Sequence, residues 1–189
     1  MKTKMVSILI LVLIGTGYAN SQDFECIITT AKKEYTIGET PEIKISISNK
    51  TERDVYLINS LAASEGKSRY PYSYFTIQKP ANDSLTNGSL SCGFTNQLRK
   101  EDFWLIKSGE SFDPNKSVGS YEIKRKEHFR NPGKYKITYY YSTKSTTFER
   151  YLGVGHVLSK DQEEELKELF NKVLHIELRS NTLEIEILE

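Results

Sequence analysis

Isoleucine at every second position is the feature that most narrows what this chain can fold into. Ile43, Ile45 and Ile47 alternate with Lys44, Ser46 and Ser48. Successive side chains of an extended strand point to opposite faces, so this spacing puts the isoleucines on one face and the polar residues on the other. The alternation returns where Tyr135, Ile137, Tyr139 and Tyr141 interleave with Lys134, Lys136, Thr138 and Tyr140. It returns again at Leu183, Ile185 and Ile187, which interleave with Glu184 and Glu186. Each run predicts a strand with one face in a core and one in water.

Apolar stretches over residues 24–30, 55–58, 72–77 and 103–106 predict further strands. The turn Asn49-Lys50-Thr51-Glu52 makes Val55–Ile58 the partner of the isoleucine strand, as a hairpin or a sandwich corner. Val118, Tyr121 and Ile123 give another strand, with a bulge near Gly119. Gly38, Ser108-Gly109-Glu110 and Asn131-Pro132-Gly133 carry turn chemistry. Residues 60–70 read as a loop, and residues 81–98 as a long turn-rich one. The expected class is therefore all-β.

One segment breaks the pattern. Leu166, Leu169, Phe170, Val173 and Leu174 fall at i, i+3, i+4, i+7 and i+8, a helical stripe. Ser159 and Gln162 have capping-box spacing. Asp161, Glu163, Glu164 and Glu165 lie early and Lys172 and His175 late, as the helix dipole favours. The helix is expected to dock through its stripe onto a sheet face or an open edge.

Residues 1–21 read as an export signal. Lys2 and Lys4 precede an unbroken apolar run over residues 8–14, and small residues follow. The run is too short for a membrane span, which needs about 20 apolar residues, and the order is that of a secretory signal peptide. Cleavage after Ala19 and cleavage after Ser21 both satisfy the small-residue rule. Residues 22–189 would then form one domain, exported to the periplasm or the exterior, without a membrane span. Cys26 and Cys92 both survive cleavage, and an even count in an oxidising compartment points to a disulfide. A loop of about 67 residues would contribute roughly 4 kcal/mol in the chain-entropy model.

Three motifs carry a resemblance. They are Tyr35-Thr36-Ile37-Gly38-Glu39-Thr40-Pro41 leading into Ile43, Ile45, Ile47 and Asn49, then Asn131-Pro132-Gly133-Lys134-Tyr135, then Ser180-Asn181 opening the last strand. In this order they resemble bacterial immunoglobulin-like and macroglobulin-like β-sandwich domains. The resemblance covers about residues 30–60 and 108–188, with residues 145–177 departing as a helical insertion. It implies an immunoglobulin-like antiparallel β-sandwich with one inserted α-helix near the C-terminus. Such a scaffold brings no catalytic residues with it.

The chemistry-bearing residues assign no catalytic, cofactor or metal site. His128, His156 and His175 lack ligand spacing. Gly153-Val154-Gly155 lacks the third glycine of a phosphate loop, and no Gly-x-Ser-x-Gly elbow is present. Cys92 has no base nearby in sequence, and Lys124, Arg125, Lys126, His128 and Arg130 read as an exposed connection. A net charge of +1 argues against a partner made of nucleic acid.

The stretch Arg69-Tyr70-Pro71-Tyr72-Ser73-Tyr74-Phe75 is different. If Phe75 and Ile77 face the core, Tyr70, Tyr72 and Tyr74 stand together outside, and tyrosine suits protein or sugar contact. The expected function is a non-catalytic binding module whose partner is another protein or a glycan. The alternative is a secreted hydrolase (proteinase) inhibitor presenting residues 81–98.

Overall fold

The computed structural model of the chain describes residues 23–59, 73–80, 84–86, 98–114, 129–144, 148–149 and 158–189. The strands are β1 Phe24–Thr30, β2 Glu34–Thr36, β3 Ile43–Asn49, β4 Val55–Ile58, β5 Ser73–Gln78 and β6 Ser84–Thr86. They continue as β7 Phe103–Ile106, β8 Ser111–Phe112, β9 Gly133–Ser142, β10 Glu177–Arg179 and β11 Leu183–Leu188. An α-helix, α1, spans Lys160–Lys172. The protein is mainly β. The signal segment, Cys92, Tyr70, Tyr72 and the expected strand near residues 118–123 lie outside the described residues.

The strands form sheets ordered β1-β3-β8, β2-β11-β9-β5-β6 and β4-β7, with β10 also paired to β9. Among the described residues the strand pairings are antiparallel except that of β2 with β11. The predicted faces hold. Ile43, Ile45 and Ile47 are buried, as are Tyr135, Ile137, Tyr139 and Tyr141, and Ile185 and Ile187. These residues share one apolar cluster with Phe24, Ile28, Leu57 and Phe75, so the inner faces of the sheets meet in a common core.

Two expectations need correction. Of the two alternatives for Val55–Ile58, the hairpin on the isoleucine strand falls and the corner stands. Val55–Ile58 pairs with Phe103–Ile106, while β3 pairs with β1 and β8. The chain therefore turns a corner after Asn49 and enters another sheet. Asn49 builds that corner although its side chain is fully buried. Its Nδ2 reaches the carbonyls of Arg53 at 2.8 Å and of Ile106 and Lys107 at 3.2 Å, and its Oδ1 accepts from the Thr51 amide at 3.0 Å. The second correction concerns residues 81–98, expected as loop throughout. Ser84–Thr86 forms β6, paired to β5.

The resemblance-bearing motifs have local physical roles. Gly38 has φ +88°, and the Glu39 amide donates to the Thr36 carbonyl at 3.0 Å, closing a tight turn that only glycine enters without strain. Lys32 and the Thr36 amide hold the Glu39 carboxyl below its ordinary range. Gly133 has φ +122°, and a Cβ there would lie 2.8 Å from Cγ of Pro80, so β9 begins where no other residue fits. Ser180 and Asn181 interrupt the last strand. Ser180 Oγ accepts from the Tyr139 amide at 2.9 Å, in the gap between β10 and β11. Asn181 turns to the neighbouring sheet, where its side-chain amide accepts from the Ile28 N–H at 2.7 Å and donates to the Ile28 carbonyl at 3.1 Å.

The helix docks as its stripe predicts. Ser159 and Gln162 form the reciprocal cap. Leu166 and Phe170 join Val173 just past the helix end in a second apolar cluster, with Ile58, Leu98, Phe103 and Phe148. The chain leaving α1 then covers the edge of β4, the Leu174 amide donating to the Tyr56 carbonyl at 2.9 Å. A 13-residue helix is marginal alone, so this packing stabilises it. Phe170→Ala is expected to cost about 3–5 kcal/mol in a denaturant melt, through lost transfer energy and a cavity. Exposed Glu164→Ala should stay within about 0.5 kcal/mol of the parent. Equal midpoints for both variants and the parent would mean that the helix is a loose appendage.

Candidate binding surface

The outward side chains of the large sheet form rows across its strands. Register places Tyr74 of β5 opposite Tyr140 of β9, and Tyr140 opposite Arg179 of β10. The two phenol rings stack with centroids 4.9 Å apart and planes 9° from parallel. The Arg179 guanidinium lies over the other side of Tyr140, 5.8 Å from the ring centroid, within cation–π range. Three flat groups thus stand side by side on the solvent face.

The next row is made of threonine. Thr76 faces Thr138 in register, and Thr138 is buried, its Oγ1 3.2 Å from Thr182 Oγ1. Backbone register puts Thr86 of β6 opposite Thr76. Beyond it, Gln78 lies opposite Lys136, which makes an ion pair with Glu184 at 3.3 Å. The face is rich in hydroxyls and amphipathic rings. Among the described residues the exposed large aliphatic side chains, Ile27, Ile37, Leu105 and Leu188, are scattered over other elements or the far end of β11.

Of the expected tyrosine cluster, Tyr74 lies on the outer face while Phe75 and Ile77 are buried, as the alternation requires. Tyr70 and Tyr72 lie outside the described residues. Tyr140, on which Tyr74 stacks, and Arg179, which lies over the Tyr140 ring, were not in the expected set. A signal existed: Tyr140 is an aromatic residue on the polar side of an alternating run, beside Lys136 and Thr138. What sequence could not supply is that β9 pairs with β5.

The remaining chemistry-bearing groups have structural surroundings. Cys26 points into the core, where burial pushes its thiol up to about 12. The partner expected for it, Cys92, lies outside the described residues. Nδ1 of His175 lies 2.8 Å from the Thr143 carbonyl, against the helix exit. Asp161, Glu163, Glu164 and Glu165 are exposed around the start of α1, and Glu165 makes an ion pair with Lys100. Among the described residues no three His, Cys, Asp or Glu side chains gather as a metal site. No described helix is long and apolar enough to cross a membrane. Of residues 81–98, only β6 and Leu98 are described, and Leu98 is buried beneath α1. No protein-family model matches the chain, and no curated protein shows significant sequence similarity to it.

Proposed function

We propose that this chain is an exported, non-catalytic module with an immunoglobulin-like sandwich, binding another protein or a glycan through the outer face of its large sheet. The observation that carries the binding role is the row formed by Tyr74, Tyr140 and Arg179. It presents rigid aromatic surface with polar tips beside a guanidinium, and side chains of these kinds dominate binding surfaces. Support for the immunoglobulin-like scaffold comes from strand order. The chain starts in one sheet as β1, crosses to lie parallel to the last strand as β2, and returns as β3 beside β1. Further support comes from Tyr135, whose hydroxyl donates back to the Asn131 carbonyl at 2.9 Å, as in the tyrosine corner of such folds.

The reading is tested with the processed protein and a Tyr74→Ala/Tyr140→Ala double variant, both immobilised. Each is offered solubilised envelope components of the source organism and a panel of glycans. The parent is expected to retain a component that the double variant releases. Equal retention by both, or retention of nothing, contradicts the proposal.

Export carries its own expectation: processing at residues 19–22 and a bridge from Cys26 to Cys92. Peptide mapping of exported protein without reductant should yield the two cysteines in one linked species and a new N-terminus at that site. Two alkylated thiols would remove the bridge, and an intact Met1 would remove the export signal.

A further inference from the structure

We propose that β7 is a docking edge for a second copy of this chain, two β7 strands pairing antiparallel about a two-fold axis at Leu105. This edge belongs to another sheet than the Tyr74–Tyr140 row, and the dimer does not depend on what that row binds.

The register of β4 against β7 decides which backbone groups face outward. The Asn59 amide donates to the Asp102 carbonyl at 2.8 Å, so Leu57 with Trp104 and Val55 with Ile106 are the hydrogen-bonded pairs of this ladder. The N–H and C=O groups of Phe103 and Leu105 therefore point away from β4. On β4 itself the outward groups of Ile58 are satisfied by Tyr141, and the Tyr56 carbonyl by the Leu174 amide. On β7 the Phe103 amide bonds the Lys100 carbonyl. Among the described residues nothing bonds the Phe103 carbonyl or either backbone group of Leu105. The Leu105 side chain is 46% exposed. A strand edge with open backbone groups, and an apolar side chain there in place of lysine or proline, is a template for another strand.

Charge complementarity selects an identical strand as the occupant. Phe103-Trp104-Leu105-Ile106 lies between Glu101 and Lys107, an acid at one end and a base at the other. Both are exposed, and neither has an ion-pair partner among the described residues. Parallel pairing of two copies would bring like charges together, which destabilises a strand pair. Antiparallel pairing sets each Leu105 opposite the partner's Leu105, with Cα atoms ~5.5 Å apart, so each covers the other's exposed side chain. Two hydrogen bonds join them, each running from the amide of one copy to the carbonyl of the other. Phe103 then stands opposite the partner's Lys107. In the single chain the Lys107 amide bonds Glu110 Oε2 at 3.2 Å, and in the pair it can turn to the Phe103 carbonyl across the axis. Each Lys107 lies diagonal to the partner's Glu101, within reach of long side chains. Two equal ion pairs result, and the contact is isologous and closed. An edge of four residues gives a small interface, so the dimer is weak and forms at high concentration.

The test is sedimentation equilibrium of the processed protein from roughly 10 μM to about 1 mM. The parent should pass from monomer toward dimer over this range. Leu105→Lys puts a charge on the edge at an exposed position and should weaken the dimer by roughly tenfold or more. Glu101→Lys and Lys107→Glu should each weaken it, and the two changes together should restore it. Thermal melts verify that each variant is folded. A parent that stays monomeric throughout overturns the proposal. So does a dimer that Leu105→Lys leaves at parent strength, since another surface then holds it. If Leu105→Lys weakens the dimer but the exchange of charges does not restore it, the antiparallel pairing about Leu105 is overturned.

Discussion

A phenol carried into an apolar core must find a partner for its hydroxyl, and β9 carries three. Tyr135, Tyr139 and Tyr141 are essentially fully buried. Each ring contributes a large apolar surface, and each hydroxyl, left unpaired, would cost about 1–3 kcal/mol. None is left unpaired. Tyr135 donates to the Asn131 carbonyl, fixing the turn that feeds β9. Tyr139 bonds the Ser73 hydroxyl at 2.8 Å, tying β9 to β5. Tyr141 donates to the Ile58 carbonyl at 2.8 Å and accepts from the Ile58 N–H at 3.0 Å, joining the large sheet to β4. The same rings that fill the core thus set the positions of a turn, a neighbouring strand and another sheet.

The contact between Tyr141 and Ile58 is one instance of a device used twice. A strand edge offers N–H and C=O groups that are costly to bury unpaired. At Ile58 a tyrosine hydroxyl satisfies both groups of one residue. At Ile28 the Asn181 amide does the same for β1. Elsewhere along β4 the chain leaving α1 bonds the Tyr56 carbonyl. Separate small sheets can therefore sit against the large one without continuing its ladder. On the outer face of the large sheet, Tyr74 stacks on Tyr140, and Arg179 lies over the Tyr140 ring.

Strand faces were legible in the sequence because period two is a local property, visible in Ile43-Lys44-Ile45 or Lys136-Ile137-Thr138 without knowing any partner. The helix was legible for the same reason, with its cap and stripe lying within one short segment. Pairing was not. Val55–Ile58 follows β3 after a short turn, yet its partner lies some fifty residues on, because Asn49 bonds carbonyls 57 and 58 positions away. Glu34–Thr36 has one buried residue, Tyr35, and becomes a strand only because β11 offers it an edge. The candidate surface was half legible. Tyr74 follows from alternation, but its stack with Tyr140 and Arg179 depends on two strand pairings that no local pattern encodes.

If the hydroxyls of β9 organise the sheets, removing one oxygen should matter far more inside than outside. The direct measurement is urea unfolding of Tyr141→Phe and Tyr140→Phe, which delete the same atom from adjacent residues on opposite faces. Tyr141→Phe leaves the Ile58 N–H and carbonyl buried without that partner and should lose about 1–3 kcal/mol. Tyr140→Phe should stay within about 0.5 kcal/mol of the parent. A Tyr141→Phe variant as stable as the parent would contradict the account, because the sheets would then be held by apolar packing alone.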